Sequence, residues 1–572
     1  MVLAISITLD SIFPIKIAPN YSTTIYDSEG RLIHSFLNKE DKWRLPITQN
    51  EISEKLEKAI LFKEDRWFYY HFGINPLAIG RAAFRNLTTG RRTSGASTIS
   101  MQVVRLLQPK SRTFANKIIE MIQAIRLELN YSKSEILQLY LSITPYGSNI
   151  EGIKSASFLY FKKSPKLLSL GEIASLTIIP NRPSSLRLGD NNSYIQLQRN
   201  KWLKSLLGKN IFEETAIIDA MTEPLNAKRN EAPHLAPHFC NRLFERDKNI
   251  SIINSSLVLA KQQKLELITK NYVQRIIGFN IKNAAVLVLN NQTNRVEAYI
   301  GSADFNSRLD GGQVDGIQAI RSPGSTLKPL LYATAFDMGI TSPKAIINDV
   351  PTNFMGFEPE NFDQQFHGKV TMEYALANSL NIPAVKLLKE VSTPIFIDRL
   401  KKADFLAVKQ NSSKLGLSLI LGGCGTSLEE LTTLFSAFAK KGILIKPSFY
   451  KLAEIKENGS QIVSEEAAYI ITKILNQVTR PDLPNNYDYT YRMPKIAWKT
   501  GTSFGKKDAW SIGYNAKYTV GVWVGNFSGE GVAELSGANI ATPLLFEVFN
   551  AIDYNGQSNW FQIPKALEMR KV

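Results

Sequence analysis

Cysteine is nearly absent: Cys240 and Cys424 are the only two among 572 residues. Two thiols so far apart in sequence form neither a disulfide framework nor a CxxC motif, so packing has to hold the fold. Histidine is almost as scarce, with five residues. His234 and His238 stand four apart, but Pro233 and Pro237 flank them and argue against a regular two-ligand helix face, so no metal site is expected. No apolar run reaches the roughly 20 residues of a membrane-spanning helix. Met1 to Thr8 (MVLAISIT) is apolar, yet Asp10 and Lys16 follow, and it has neither the basic n-region nor the cleavage site of a signal peptide. A buried N-terminal strand and the outer end of a membrane anchor both fit it. Low-complexity tracts, long disordered tails and internal repeats are lacking too.

What is present is ordinary globular sequence, 44% hydrophobic and 21% charged, too long for one core, so two domains and a linker are expected. The formal charge is +17, and residues 61–200 alone carry 19 Lys+Arg against 8 Asp+Glu, a net +11. The basic field is thus concentrated in the first third. It suits nucleic acid, a phospholipid surface or a phosphate-bearing substrate; a solvated basic face is the alternative.

Residues 49–230 read as mostly helical. Ile118, Ile119, Ile122, Ile125 and Leu129 recur at helical spacing, and Ser132 with Glu135 forms a capping box for a helix through Leu141. Residues 231–272 turn rich in Pro, Asn and Lys and read as a linker. Beyond them Ala284–Leu289 and Arg295–Ile300 predict a β-hairpin, and Ile496–Thr502, Ala509–Tyr514 and Tyr518–Val524 three further strands. Helical stretches lie between, at Pro329–Met338 and Leu428–Lys441. Strands at both ends enclosing helices predict one α/β domain whose sheet joins its two ends.

Three short patterns in that second half carry chemistry. Ser325 and Lys328 are one helical turn apart and share a face. A serine hydroxyl needs a base to become a nucleophile, and a lysine whose pKa is lowered by its surroundings can serve. Ser379-Leu380-Asn381 follows, then Lys499-Thr500-Gly501-Thr502 on a predicted strand. The ordered set SxxK, SxN, KTG is the pattern of penicillin-recognising serine enzymes. In it Ser379 relays a proton to the leaving amine and Asn381 bonds the substrate backbone. Lys499 supplies charge for a carboxylate, Gly501 lets substrate lie along the strand, and the N–H groups of Ser325 and Thr502 suit an oxyanion. A second SxxK, Ser503 to Lys506, reads as incidental.

In the first half Glu64-Asp65-Arg66-Trp67-Phe68 with His71 and Gly73 forms a polar and aromatic cluster. Gly95 to Gln102 (GASTISMQ), Lys117 with Glu120, and Lys133 to Leu141 follow. Two acidic residues amid basic charge offer a base and phosphate-neutralising groups; surface charge on helices is the other reading.

EDRWFYYHFG, GASTISMQ, KIIE and KSEILQLYL resemble glycosyltransferase family 51, the polymerase half of class A penicillin-binding proteins. Pro145-Tyr146-Gly147 through Gly152-Ile153 to Pro180 resembles that family's fifth motif. RSPGSTLKP, SLN, KTGTS, DAWSIGY and YTVGVWVGN resemble the transpeptidase half, with most likeness to the 1C branch. The resemblance implies a lysozyme-like helical domain over 49–230 and a β-lactamase-like α/β domain over 273–560, with 21–48 connecting and 1–20 the end of a single N-terminal anchor. It implies a bacterial inner-membrane enzyme whose catalytic domains face the periplasm. That enzyme polymerises lipid II into glycan strands, cross-links stem peptides by D,D-transpeptidation, is acylated by β-lactams and works with cell-wall machinery; nucleic acid is not a partner. Glu64 would deprotonate the acceptor 4-hydroxyl, which attacks C1 of a lipid-pyrophosphate donor with inversion, and Glu120 would be the second carboxylate. Ser97, Thr98, Gln102, Arg105 and Lys117 match positions lining the sugar and phosphate site. No cofactor is implied for transpeptidation, and a divalent cation (Mg or Mn) is expected to assist glycosyl transfer. Asn116, Leu106, Ser142 and Met101 depart from the family's polar pattern and are expected to weaken donor binding. A hydrolase of the carboxypeptidase or β-lactamase kind, and a muropeptide- or β-lactam-binding protein without turnover, are the rival readings.

Overall fold

The computed structural model describes residues 17–81, 97–111, 113–183, 185–451, 459–478, 494–554 and 560–568. The chain divides into two compact units, one mainly His34–His234, the other Leu235–Lys248 and Asn254 onward. The expectations for Met1 to Thr8 and for Gly95-Ala96 lie outside the described residues. Among the described residues, no helix is long and apolar enough to cross a membrane.

The first unit is helical because its apolar residues recur at helical spacing and polar caps mark where helices begin. Its helices include α1 (Glu54–Glu64), α2 (Ile99–Leu107), α3 (Phe114–Asn130), α4 (Lys133–Ile143) and α5 (Leu170–Ile178). Ser53, Thr98, Thr113, Ser132 and Ser169 each accept a backbone N–H at the start of one, which satisfies donors the first turn leaves open. Ser132 and Glu135 form the anticipated capping box. The helices close over one core that includes Leu56, Ile60, Val103, Leu127, Leu137 and Ile173.

Residues 231–272 are a correction. The segment read as a linker carries α6 (Pro237–Arg246) and most of α7 (Leu259–Ile276). Pro237 occupies the first turn of α6, where a missing N–H costs nothing, so it opens a helix instead of breaking one; His238 falls inside that helix and His234 outside. Leu265, Tyr272, Val273 and Ile276 of α7 are buried in the second core, while Lys264 and Lys270 face solvent. Composition suggested a linker because it averages over those two faces.

The second unit holds a five-stranded antiparallel sheet. The strands are β1 (Asn283–Asn290), β2 (Arg295–Ile300), β3 (Ala497–Thr502), β4 (Asp508–Tyr514) and β5 (Tyr518–Gly525), in the order β3-β4-β5-β1-β2. The last strand in sequence pairs with the first, Tyr518 opposite Asn290 through Gly525 opposite Asn283, so the sheet does join the domain's two ends. Helices cover both faces, α7 and α10 (Thr542–Asp553) against one and α9 (Leu428–Ala439) against the other. Burial on both sides explains runs such as AAVLVL in place of alternation. Between the strands lies α8 (Lys328–Asp337).

Helix α9 approaches β5 closely at Gly521, where an added Cβ would sit 2.0 Å from Thr432 Oγ1 and 2.9 Å from Leu428 Cδ1. Gly521→Ala is expected to destabilise the second unit by about 1–3 kcal/mol through overpacking, read as a lowered denaturant midpoint. An unchanged midpoint would show that the helix simply moves aside.

Candidate active sites

In the second unit Ser325 stands in the tight turn Gly324–Leu327 that leads into α8. The turn meets β3 backbone to backbone. A Cβ on Gly324 would lie 2.5 Å from Thr502 O, and one on Gly501 2.4 Å from Pro323 O and 3.4 Å from Ser325 N. Any side chain at either glycine would push Ser325 and the strand apart. Gly324 also has φ +54°, a region that favours glycine.

Lys328 is fully buried. Its Nζ donates to Ser379 O at 2.6 Å, Asn381 Oδ1 at 2.7 Å and Leu380 O at 3.1 Å, with Ser379 Oγ at 3.5 Å. Burial, and next the neighbouring Lys499 charge, hold its pKa well below the ordinary lysine value despite those oxygen acceptors. A lysine so shifted gives up its proton more readily than an ordinary one. Lys499, also buried, donates to Ser379 Oγ at 2.7 Å and Thr500 O at 2.9 Å, and burial lowers its pKa to about 7. The Ser379 hydroxyl therefore stands between two amines and, accepting from Lys499, keeps its own proton to give. The Thr502 hydroxyl accepts from Gly537 N–H at 3.0 Å and fastens the strand's end. The spare SxxK lies in the turn after β3: Ser503 Oγ accepts from Lys507 and Asp508 N–H, and Lys506 donates to Ala533 O. It takes no part in this cluster.

In the first unit Glu64 ends α1. Its carboxylate accepts from Asn181 Nδ2 at 2.9 Å and Gln102 Nε2 at 3.2 Å. Arg105, half-buried, lies one turn beyond Gln102 on the same helix. Next to Glu64, Asp65 accepts the Ile99 N–H at 2.9 Å and faces His71 Nε2 at 3.0 Å. It thereby pins the start of α2, where a carboxylate suits the helix dipole, to the end of α1. Lys117 on α3 donates to Ser97 Oγ at 2.7 Å and Glu120 Oε2 at 3.2 Å. The Thr98 hydroxyl is occupied as the α2 cap and as donor to Gly73 O at 2.6 Å. The hydroxyls of Tyr140 and Tyr146 are buried with no partner, and burial, then the Glu64 charge, raises both pKa values. Asn181 was missed in the sequence; its only signal was its place directly after Pro180.

Four residues depart from the family's polar pattern. Met101 and Ser142 are buried, Leu106 packs against the core, and Asn116 donates to Ser111 O near the start of α3.

Residues 29–207 match the Transglycosylase family and residues 284–545 the family described as Penicillin binding protein transpeptidase domain. Penicillin-binding protein 1C of Escherichia coli strain K12 is 36% identical over 95% of this chain and 70% of its own length. Penicillin-binding protein 1F of Bacillus subtilis strain 168 is 29% identical, over 89% and 74%. A crystal structure of penicillin-binding protein 1A from Haemophilus influenzae shares the fold at a TM-score of 0.59 and 16% identity, covering 96% of this chain and 95% of that one. The chain belongs to the class A penicillin-binding proteins, bifunctional peptidoglycan synthases with a transglycosylase and a transpeptidase domain. Within them it is similar to the 1C proteins.

Proposed function

We propose that the first unit polymerises lipid II by inverting transfer, with Glu64 as base and Glu120 aiding pyrophosphate departure. The second unit cross-links the resulting strands by D,D-transpeptidation through a Ser325 acyl-enzyme. The observation that carries the second reaction is the Ser379 hydroxyl between the buried amines of Lys328 and Lys499; we assign the first as base for Ser325 and the second as charge for the substrate carboxylate. In the first step Lys328 takes the Ser325 proton as Oγ attacks the peptide carbonyl, and the N–H groups of Ser325 and Thr502 receive the oxyanion. Ser379 then passes a proton to the departing amine, and a second stem peptide's amine resolves the acyl-enzyme. In the first unit we assign the part-exposed Lys117 to the pyrophosphate.

Among the described residues no three ligand-type side chains converge on a metal, and Glu120 already pairs with Lys117. We therefore infer that a divalent cation assisting glycosyl transfer is held by the substrate's pyrophosphate. Work at the surface of the bacterial inner membrane is supported by aromatic and aliphatic side chains exposed in the basic unit: Trp67 at 56%, Tyr70 at 81%, Leu77 at 86% and Phe114 at 82%. Aromatic rings of this kind favour a membrane–water interface.

Incubation with lipid II tests the whole reading. Glycan strands and cross-linked peptides are both expected, and penicillin should abolish only the cross-links. Peptide trimming without cross-links would support a hydrolase, and penicillin labelling without either product a binding protein.

A further inference from the structure

Two residues outside every sequence motif stand directly behind the transpeptidase cluster. Ile346–Asp349 pairs antiparallel with Gly368–Thr371, Asp349 opposite Gly368, so the chain between them forms a loop closed at its base. The Asp349 side chain is fully buried there. It accepts from Asn361 Nδ2 at 2.8 and 3.0 Å, from the His367 N–H at 2.9 Å and faces His367 Nδ1 at 3.0 Å. One carboxylate thus grips both the middle and the end of the loop.

Asn361, itself buried, also donates to Gln365 O at 2.8 Å, and its Oδ1 accepts the Asn381 N–H at 2.7 Å. Asn381 Nδ2 donates to Glu360 O at 2.6 Å, which leaves Oδ1 to accept from Lys328 at 2.7 Å. A continuous line of hydrogen bonds therefore runs from Asp349 through Asn361 and Asn381 to the lysine amine. The other short contacts of Lys328 are carbonyls of the turn entering Asn381, and in that turn Ser379 has φ +58°. A serine held in the left-handed region persists only where its surroundings over-determine it. The bond from Asn381 N–H to Asn361 supplies that constraint immediately after the turn.

We propose that Asp349 and Asn361 are positioning residues for acyl transfer. They hold the 379–381 turn in the arrangement that wraps Lys328 in oxygen acceptors and keeps Ser379 Oγ between the two amines. The proposal rests on the reading of Lys328 as base. A residue that merely fastened the loop would alter stability or penicillin affinity, but not the rate constant of acylation within the bound complex.

The test uses the full chain and a fluorescent penicillin, with rapid mixing to separate the Kd of the encounter from the acylation rate constant. Asn361→Ala and Asp349→Asn are each expected to lower the rate constant by about 10–100-fold, the effect of losing a hydrogen bond to a charged group, with Kd unchanged. Asp349→Asn keeps the shape but turns an N–H2 towards groups that themselves donate. Tyr332→Phe serves as a neighbour: its hydroxyl is buried on α8 without a partner, so it should acylate as wild type. A folded Asn361→Ala or Asp349→Asn that acylates at the wild-type rate constant overturns the proposal, as does a loss confined to Kd. If neither variant folds, the pair serves the fold and not the reaction, and the proposal fails equally. Lys328→Ala, measured in parallel, separates the two readings: if it acylates normally the base assignment falls, and if it alone is slow only the positioning role falls.

Discussion

Replacing Glu64 with glutamine is expected to cut glycan-strand synthesis by about 10²–10⁴-fold, the usual contribution of a positioned general base, and to leave penicillin acylation at its wild-type rate. Glutamine keeps the length of the side chain and one acceptor oxygen; of Asn181 and Gln102, which donate to the carboxylate at 2.9 and 3.2 Å, one keeps its bond and the other can turn its own amide oxygen towards the new N–H2. It cannot take a proton from a sugar hydroxyl. The acylation chemistry belongs to residues of the other compact unit, so the two effects should separate cleanly. Both activities are measured on one preparation. Glycan strands forming at the normal rate would remove Glu64 from the role of base.

Acylation itself should disappear in Ser325→Ala, with no penicillin adduct by intact mass, because alanine has no oxygen to bond the penicillin carbonyl. Lys328→Ala should slow acylation by about 10²–10⁴-fold, again the scale of a lost base. The pH profile carries more detail. Lys328 sits well below the ordinary lysine value and Lys499 at about 7. The acylation rate constant should therefore rise as Lys328 loses its proton and then level. Affinity should weaken above about 7 as free Lys499 loses the charge that meets the substrate carboxylate. A bound carboxylate favours the ammonium form, so this falling limb belongs to binding and not to the acylation step. An adduct on Ser325→Ala, or an affinity flat across that range, would contradict the assignment.

These tests rest on residues of unequal visibility in the sequence. The helices of the first unit and the strands of the second could be read because their signals are local. Ser132 and Glu135 are three apart and cap the helix they begin, and AAVLVL and YTVGVWV are long enough to mark strands buried on both faces. SxxK could be read because one helical turn forces Ser325 and Lys328 onto a common face. The linker expectation failed for a reason of the same kind: Lys264, Lys270 and Asn271 lie on the solvent side of α7, and composition cannot separate two faces.

By itself, then, the sequence determined the two domains, many of their elements and the residue types able to do each reaction, since periodicity, caps and short motifs act over a few residues. Only the tertiary structure decided which of those residues meet. Lys499 reaches Ser379 across 120 positions, Asn181 reaches Glu64 across 117, and Asn361 reaches Asn381 across 20. It also decided that burial strips Lys328 and Lys499 of their usual proton affinity, because desolvation depends on everything packed around a group and no neighbour in sequence records it.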